Sequence, residues 1–326
     1  MSNMMAFTTG RDIILFGLCA LTALFGALAI MAQLAAEKFF LLEMFVSLLP
    51  QVLVFGGLVT ALCLFWRPRV AAGLAALTLI TAFPFLFFSK YETPTASECG
   101  PDECFTILTI NLWSESDYLP ALSELIQEYE FDIVAVNEAS EDTFDPRFEN
   151  TFFPGFETVI HANWLTMPRG MGNPLSFFSR KPVYDFSRVL NRDTGRRAYI
   201  TVDLAEEWDG VRIVMAHAMT PTSPRGLSQR NALIDDITEI AEESSSYIVL
   251  GDFNMTPWSP KFGSLPGKRA GDPRFTMTWP TIFPVLGMPI DHIMFSDDLE
   301  LIEFEILRSI GSDHYPIMAK FKRKDR

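Results

Sequence analysis

The sequence predicts an α/β domain of two packed β-sheets with outer helices, preceded by three helices able to cross a membrane. Three observations lead there. Charge-free apolar runs crowd the front of the chain. Short β-rich runs alternate with polar or amphipathic segments behind them. The remainder, about 225 residues, is long enough for one such core.

The 326 residues include 26 Lys and Arg against 40 Asp and Glu, a net charge of -14, with a pI near 4.8 and a mean hydropathy of +0.19. An acidic chain that is apolar on average must distribute its apolar residues unevenly. With 20% charged and 49% hydrophobic residues, a disordered polymer is excluded. Four cysteines are too few for a disulfide scaffold, and no CxxC pair or His-x3-His spacing marks a structural zinc site. Collagen, a coiled coil and a small secreted toxin are excluded as well.

Residues 13–36 contain no charge and match the roughly 20 residues needed to cross a bilayer. Second and third charge-free runs occupy 44–66 and 70–88 around Arg67-Pro68-Arg69. A cleaved signal peptide does not fit, because the first core exceeds a usual h-region and two more spans follow. We expect an anchor over 1–89, a linker over 90–104 rich in Pro, Ser, Thr and acid, and a catalytic domain over 105–326. Residues 1–89 have 4 basic and 3 acidic side chains, leaving 22 and 37 behind them, so residues 90–326, linker and domain together, have a net charge of -15. Arg11, Arg67 and Arg69 share one side of the bilayer, against Lys38 and Lys90 on the other. The positive-inside rule then puts the domain on the extracytoplasmic side, the periplasmic side of a bacterial inner membrane. Cys99 and Cys104 bracket a Gly-Pro turn; spacing leaves open whether they pair or stay as thiols. Cys19 and Cys63 fall inside spans and read as small apolar residues.

Behind the linker the β-rich runs are FTILTIN, FDIVAVN, PLSFFSR, RAYITVDL, VRIVMAHA, YIVLGDFN, PIDHIMFS, FEIL and IMAKFK. Leu119, Leu122, Leu125 and Ile126 share one helical face, and a second helix is expected from about 228 to 243. Polar residues recur at the ends of the apolar runs: Asn111, Glu138, His217, Asp252 and Asn254, Asp291 with His292, and Asp313 with His314. Strand ends are where a sheet presents side chains to a cleft. Singly, each reads as a turn residue. Together they hold the parts for hydrolysing a phosphate ester. Carboxylates with an Asn carbonyl form a hard oxygen site suited to Mg2+ or Mn2+, and an Asp beside a His orients and polarises the imidazole. HExxH, a Walker loop, GxGxxG and GxSxG are absent.

GDFN at 251–254 and SDH at 312–314, with TILTINLW, VNEAS, GNPLSFFSRKPV, MAHAMTP and PIDHIMFS in order, resemble the endonuclease/exonuclease/phosphatase superfamily over about residues 105 to 322. The resemblance implies a four-layer α/β sandwich. It implies Glu138 as the main metal ligand, with Asn111 and Asp313 completing that site, and His314 as an essential histidine held by Asp291. His217 takes the place of the residue that contacts the phosphate. Asp252 and Asn254 resemble the pair that orients the attacking water. His161 stands apart in a polar loop, and His292 is expected to point away from Asp291. Asn137 stands where the family often has Gln, Ser140 where nuclease members commonly have Arg, and Trp113 where apurinic endonucleases have Asp; these departures weaken the analogy to a DNA cutter.

The resulting expectation is a membrane-anchored, divalent-metal-dependent phosphodiesterase whose partners are the lipid bilayer and a phosphate-ester substrate such as a lipid head group. The alternative is a membrane-anchored endonuclease or exonuclease, and a catalytically inactive binding module ranks last. A charge of -15 over residues 90–326 opposes nonspecific nucleic-acid binding, although Arg188, Arg192, Arg196 and Arg197 form either a local basic patch or a solvated loop. Trp164, Trp258 and Trp279 fall in loop-like stretches that either line the cleft or pack inside, and the basic tail KFKRKDR offers a contact for lipid head groups.

Overall fold

The structure, a computed structural model, describes residues 10–100, 103–139, 151–162, 174–190, 198–205 and 210–324. Arg192, Arg196, Arg197, Ser140 and Trp164 lie outside the described residues. The chain divides into two compact units, residues 1–88 with 258–260 and residues 89–257 with 261–326.

The first unit is helical: α1 (Gly10–Ala35), α2 (Phe40–Val46), α3 (Leu49–Trp66) and α4 (Pro68–Leu86). Three stretches are long and apolar enough to cross a bilayer, Asp12–Ala35, Leu49–Trp66 and Pro68–Leu86. The run expected from Met44 is cut between Val46 and Leu49. Pro50 explains the break, since a proline fits the first helical turn but not a helix interior. Apolar side chains such as Ile13, Phe16, Leu58, Phe65 and Ile80 point outward, as hydrocarbon-facing residues do. Small residues make the helix contacts: a Cβ on Gly26 would come within 2.6 Å of the Leu77 side chain. Arg67 lies 3.7 Å from Asp12, which puts the start of α1 and the α3–α4 turn at one end, as three alternating spans require. Trp258 is buried among Ala29, Ala32, Ala36, Val46 and Leu49.

The second unit holds two mixed sheets. The seven-stranded sheet runs β1 (Tyr91–Glu92), β10 (Lys268–Ala270), β11 (Asp291–Phe295), β9 (Tyr247–Asp252), β8 (Arg212–Ala216), β7 (Ala198–Leu204), β6 (Val183–Leu190). The six-stranded sheet runs β12 (Leu299–Ile306), β13 (Ile317–Arg323), β2 (Cys104–Asn111), β3 (Ile133–Asn137), β5 (Leu175–Ser179), β4 (Thr158–Ala162). Side chains alternate across each strand. In β2, Ile107 enters the core between the sheets with Ile133, Phe177, Ile200, Leu250 and Ile293. Its neighbour Leu108 turns the other way, to Leu119, Leu122, Leu125 and Ile126 of α5 (Leu119–Tyr129). On the outer face of the other sheet, α6 (Pro224–Glu242) packs against β8 and β9 through Leu227, Leu233, Ile234 and Ile237. The Ser223 hydroxyl caps its first turn by accepting from Gly226 N–H at 3.0 Å. The four layers are α6, the seven-stranded sheet, the six-stranded sheet and α5.

Several details differ from the sequence-based expectation. Tyr91 and Glu92 pair in parallel with Arg269 and Ala270, so strand β1 begins inside the stretch whose composition reads as linker. Backbone pairing of two residues leaves no compositional trace. Arg188 stands in edge strand β6 with its guanidinium 5.1 Å from the Phe186 ring, so it belongs to a strand and not a loop. His161 lies in β4, where its Nδ1 is 2.8 Å from the Ser176 hydroxyl. Cys99 and Cys104, whose pairing the spacing left open, form a disulfide, with Cα atoms 6.1 Å apart.

The chain leaves β9 through Gly251, whose φ of +134° is open to glycine alone. A Cβ there would also fall 2.0 Å from the carbonyl oxygen of Ala216 on β8. Gly251→Ala is expected to destabilise the protein by about 2–4 kcal/mol. Thermal unfolding of the full chain in detergent checks this; an unchanged midpoint would contradict the packing.

Candidate active site

The topology gathers the polar residues at one edge of the sandwich. Asn111 ends β2 and Glu138 follows β3, its parallel neighbour. His217 follows β8, and Asp252 ends β9, which is parallel to it. Asp291 opens β11, and the antiparallel register sets it directly beside Asp252. Ser312, Asp313 and His314 lie in the turn before β13, which pairs with β2.

Side-chain hydrogen bonds then join the two sheets. Asn111 Nδ2 donates to Glu138 Oε1 at 3.1 Å and to Asp252 Oδ2 at 3.1 Å. Asn254 donates its backbone N–H to Asp252 Oδ1 at 2.8 Å and its amide to the Ala218 carbonyl at 3.0 Å. His217 Nε2 stands 3.5 Å from both Glu138 Oε1 and Asp252 Oδ2. His314 Nδ1 donates to Asp291 Oδ2 at 2.9 Å, leaving Nε2 3.9 Å from Asp252 Oδ2. The structure thus brings Asn111, Glu138, His217, Asp252, Asn254, Asp291 and His314 into one hydrogen-bonded and ion-paired set. Asp313 adjoins it, with Oδ1 4.0 Å from His314 Nε2.

Burial splits this set in two. The side chains of Asp252 and Asp291 are 2% and 4% exposed, whereas those of Glu138 and Asp313 are 18% and 30% exposed. Burial, and then the neighbouring Asp291 charge, push the Asp252 carboxyl up to about 6, against the opposing pull of His314 and His217. Burial disfavours the charged form of His314, but the Asp291 carboxylate outweighs it and raises the imidazole to about 10. An imidazolium therefore faces a buried carboxylate. Backbone strain accompanies this geometry: Trp113, Ser114, Glu138 and Asn254 all have φ between 46° and 58°. Non-glycine residues hold that conformation only where surroundings fix it, and here Ser114 N–H donates to the Glu138 carbonyl at 2.9 Å.

Oxygen atoms with capacity left for a divalent cation lie in the more exposed half. Asp313 Oδ1 is buried with no hydrogen-bond partner, while Oδ2 accepts from Trp279 Nε1 at 2.9 Å. An unpartnered carboxylate oxygen is costly unless a cation or water meets it. Asn111 Oδ1 accepts from Trp113 N–H at 2.9 Å and keeps a second lone pair. Among the described residues, Asp252, Asp291 and His314 bring ligand-type atoms within 4.8 Å of one another. In that trio the His314–Asp291 hydrogen bond already occupies one nitrogen and one oxygen.

Several supporting residues escaped the sequence reading. The Thr278 hydroxyl accepts from the N–H groups of Ile290 and Asp291 at 3.1 and 3.2 Å. The Ser312 hydroxyl donates to the Asn111 carbonyl at 2.6 Å and accepts from His314 N–H at 3.1 Å. His292 points away from Asp291 into the interior, where Nδ1 accepts from Arg269 Nε at 2.8 Å and Nε2 donates to the Met255 carbonyl at 2.7 Å. Burial and the adjacent guanidinium hold His292 well below the usual histidine range. Ser312 stands within the SDH motif, whereas Thr278, in an uncharged stretch, carries no distinctive signal in the sequence.

The endonuclease/exonuclease/phosphatase family model matches residues 108–314. No curated protein matches the chain. Among solved structures, a humanized D. rerio TDP2 carrying 14 mutations is similar at 12% identity, with a TM-score of 0.55, covering 68% of this chain and 99% of that one. The endonuclease/exonuclease/phosphatase from Bacteroides vulgatus has 16% identity, a TM-score of 0.55 and coverages of 68% and 99%. The 3′ phosphatase NExo from Neisseria, bound to a product DNA hairpin, has 19% identity, a TM-score of 0.52 and coverages of 67% and 99%. At these identities the likeness speaks for the fold alone, while the family model spans most of the second unit. The chain belongs to the endonuclease/exonuclease/phosphatase family and is a metal-dependent phosphoric ester hydrolase.

Proposed function

We propose that the protein is a membrane-anchored phosphodiesterase that uses Mg2+ or Mn2+ and acts on a membrane-associated or extracytoplasmic substrate, a phospholipid head group being the leading class. The observation that carries this reading is the split site. Partly exposed Glu138 and Asp313, the latter with an unpartnered oxygen, adjoin the buried Asp252 and the Asp291–His314 pair through His217 and His314. In this reading residues 1–89 anchor the domain formed by 105–326 on the extracytoplasmic side, and the intervening stretch joins them.

Glu138, Asn111 and Asp313 would hold the cation, an all-oxygen set that leaves room for water ligands. Bound there, it would supply charge stabilisation to the phosphoryl oxygen. Asp252, raised to about 6, is poised near neutral pH to position or deprotonate the attacking water. Asn254, fixed by the Ala218 carbonyl, helps to place that water. His217, between Glu138 and Asp252, contacts the phosphate. His314, held by Asp291, stabilises charge on the phosphate or moves a proton to the leaving oxygen through Nε2.

A membrane-anchored nuclease is the second reading, favoured by the NExo structure's bound DNA hairpin. The charge of -15 over residues 90–326 counts against it, because nonspecific affinity for nucleic acid comes from neutralising phosphates.

Purified full-length protein should release head groups from phospholipid vesicles, stop after EDTA treatment, and recover with Mg2+ or Mn2+. Plasmid DNA and RNA incubated in parallel should stay intact; nicked plasmid with untouched lipid would transfer the assignment to the nuclease reading. Glu138→Gln and His314→Ala are each expected to lower kcat by roughly 10²-fold or more while the fold survives, and wild-type rates in both variants would remove these residues from the mechanism. Protease added to spheroplasts should cleave the domain; cleavage only after lysis would reverse the topology.

A further inference from the structure

Residues 275–290, FTMTWPTIFPVLGMPI, form the longest stretch without an acidic or basic residue after position 89, although residues 90–326 have a net charge of -15. They join β10 to β11. Trp279 and Met288 close the base as an antiparallel bridge, and a short 3-10 turn at Pro284–Leu286 forms the tip. The tip holds its apolar side chains in water: Val285 is 95% exposed and Ile282 75%, with Phe283 and Leu286 also exposed and Phe275 nearby in sequence. Elsewhere in this unit the described exposed large hydrophobics are only Trp113, Tyr184 and Phe186. Such a concentration marks a surface for an apolar partner.

The base is well held. Thr281 N–H donates to the Asp313 carbonyl and Thr281 Oγ1 to the Ser312 carbonyl, both at 2.9 Å. Tyr315 N–H donates to the Thr278 carbonyl at 2.8 Å, and Trp279 Nε1 to Asp313 Oδ2 at 2.9 Å. The loop is therefore built onto the segment that carries Asp313 and His314.

We infer that the tip Ile282–Leu286 inserts into the acyl region of a lipid bilayer and so seats the site at the depth of the head-group phosphates; this rests on the membrane-anchored reading above. Lipid is the occupant because of chain connectivity. Only residues 87–90 separate the last apolar helix from β1, and that distance spans at most roughly 17 Å. A bilayer that holds α4 is thus always within reach of this domain. The tip has the composition of an interfacial insert, apolar and without a charge to desolvate, and Pro280 and Pro284 limit the freedom lost on binding.

The test uses the full chain in phosphatidylcholine/phosphatidylglycerol proteoliposomes. In a Cys19→Ala, Cys63→Ala background, Val285→Cys receives a nitrobenzoxadiazole label, with Glu303→Cys on β12 as the aqueous control. Blue-shifted emission at position 285, quenched at least twofold by lipids brominated on their acyl chains, is expected. Emission matching the control and insensitive to bromine would overturn the insertion. In a second arm, Phe283→Ser with Val285→Asp should lower vesicle-lipid turnover roughly tenfold or more, leaving bis(p-nitrophenyl) phosphate turnover within about twofold. Equal losses on both substrates would instead make the loop a structural support for Asp313 and overturn the proposal. If the wild type cleaves the soluble diester but no lipid, the head-group assignment fails, and the quenching still decides insertion.

Discussion

Burying the carboxylate of Asp252 is the constraint around which the catalytic unit is arranged. An ionised carboxylate removed from water costs several kcal/mol unless hydrogen bonds and opposite charge offset it. The offset comes from both sheets at once. Asn111 reaches across from β2, Asn254 folds back from the following turn, and His217 and His314 approach from β8 and from the turn before β13. Each partner also has a second obligation: Asn111 binds Glu138, Asn254 binds the Ala218 carbonyl, and His314 binds Asp291. Displacing any one leaves a buried polar group unpaired elsewhere, so the sheet ends are held in register by the site itself.

The same logic extends into the apolar interior. Arg269 is fully buried, and burial lowers its guanidinium to about 9. It donates to His292 and to the carbonyls of Ala270 and Gly271, while His292 passes a hydrogen bond to Met255, the residue after Asn254. A neutral imidazole suits this place because it accepts on one nitrogen and donates on the other. The chain behind the GDFN turn is thereby fixed from inside as firmly as from the cleft.

Strands β2, β3, β8, β9 and β11 were legible because burial on both faces writes them as continuous apolar runs, and the polar residue ending each run marks the sheet edge. The α5 face was legible from its spacing. What the sequence withheld depends on partners distant along the chain. His292 reads as a strand-end residue until Arg269 is seen beside it, and Thr278 as a loop hydroxyl until it caps Asp291. Strand β6 alternates polar and apolar residues at an open edge, and β1 is only two residues long, so neither makes a run. The break before Leu49 was present as Pro50 but was hidden inside a stretch whose hydropathy alone looked continuous.

Charge and tethering bear on each other. A domain that together with its linker is at -15 is repelled by polyanions and by anionic lipid alike, so encounter by diffusion would be slow and salt-dependent. Under the membrane-anchored reading, a short covalent link replaces encounter with effective concentration, which needs no basic surface. Affinity is then free to reside at the reacting phosphate, where a cation beside Glu138 and Asp313 and an imidazolium at His314 provide the only strong positive potential the chemistry requires. A freely diffusing relative would need to recover that attraction with lysine and arginine around the cleft. In this chain several described cations are already committed, Arg269 to His292, Arg274 to Asp272, Arg212 to Asp203 and Arg308 to Glu128, which suits a site that reaches its substrate by tethering and not by electrostatic capture.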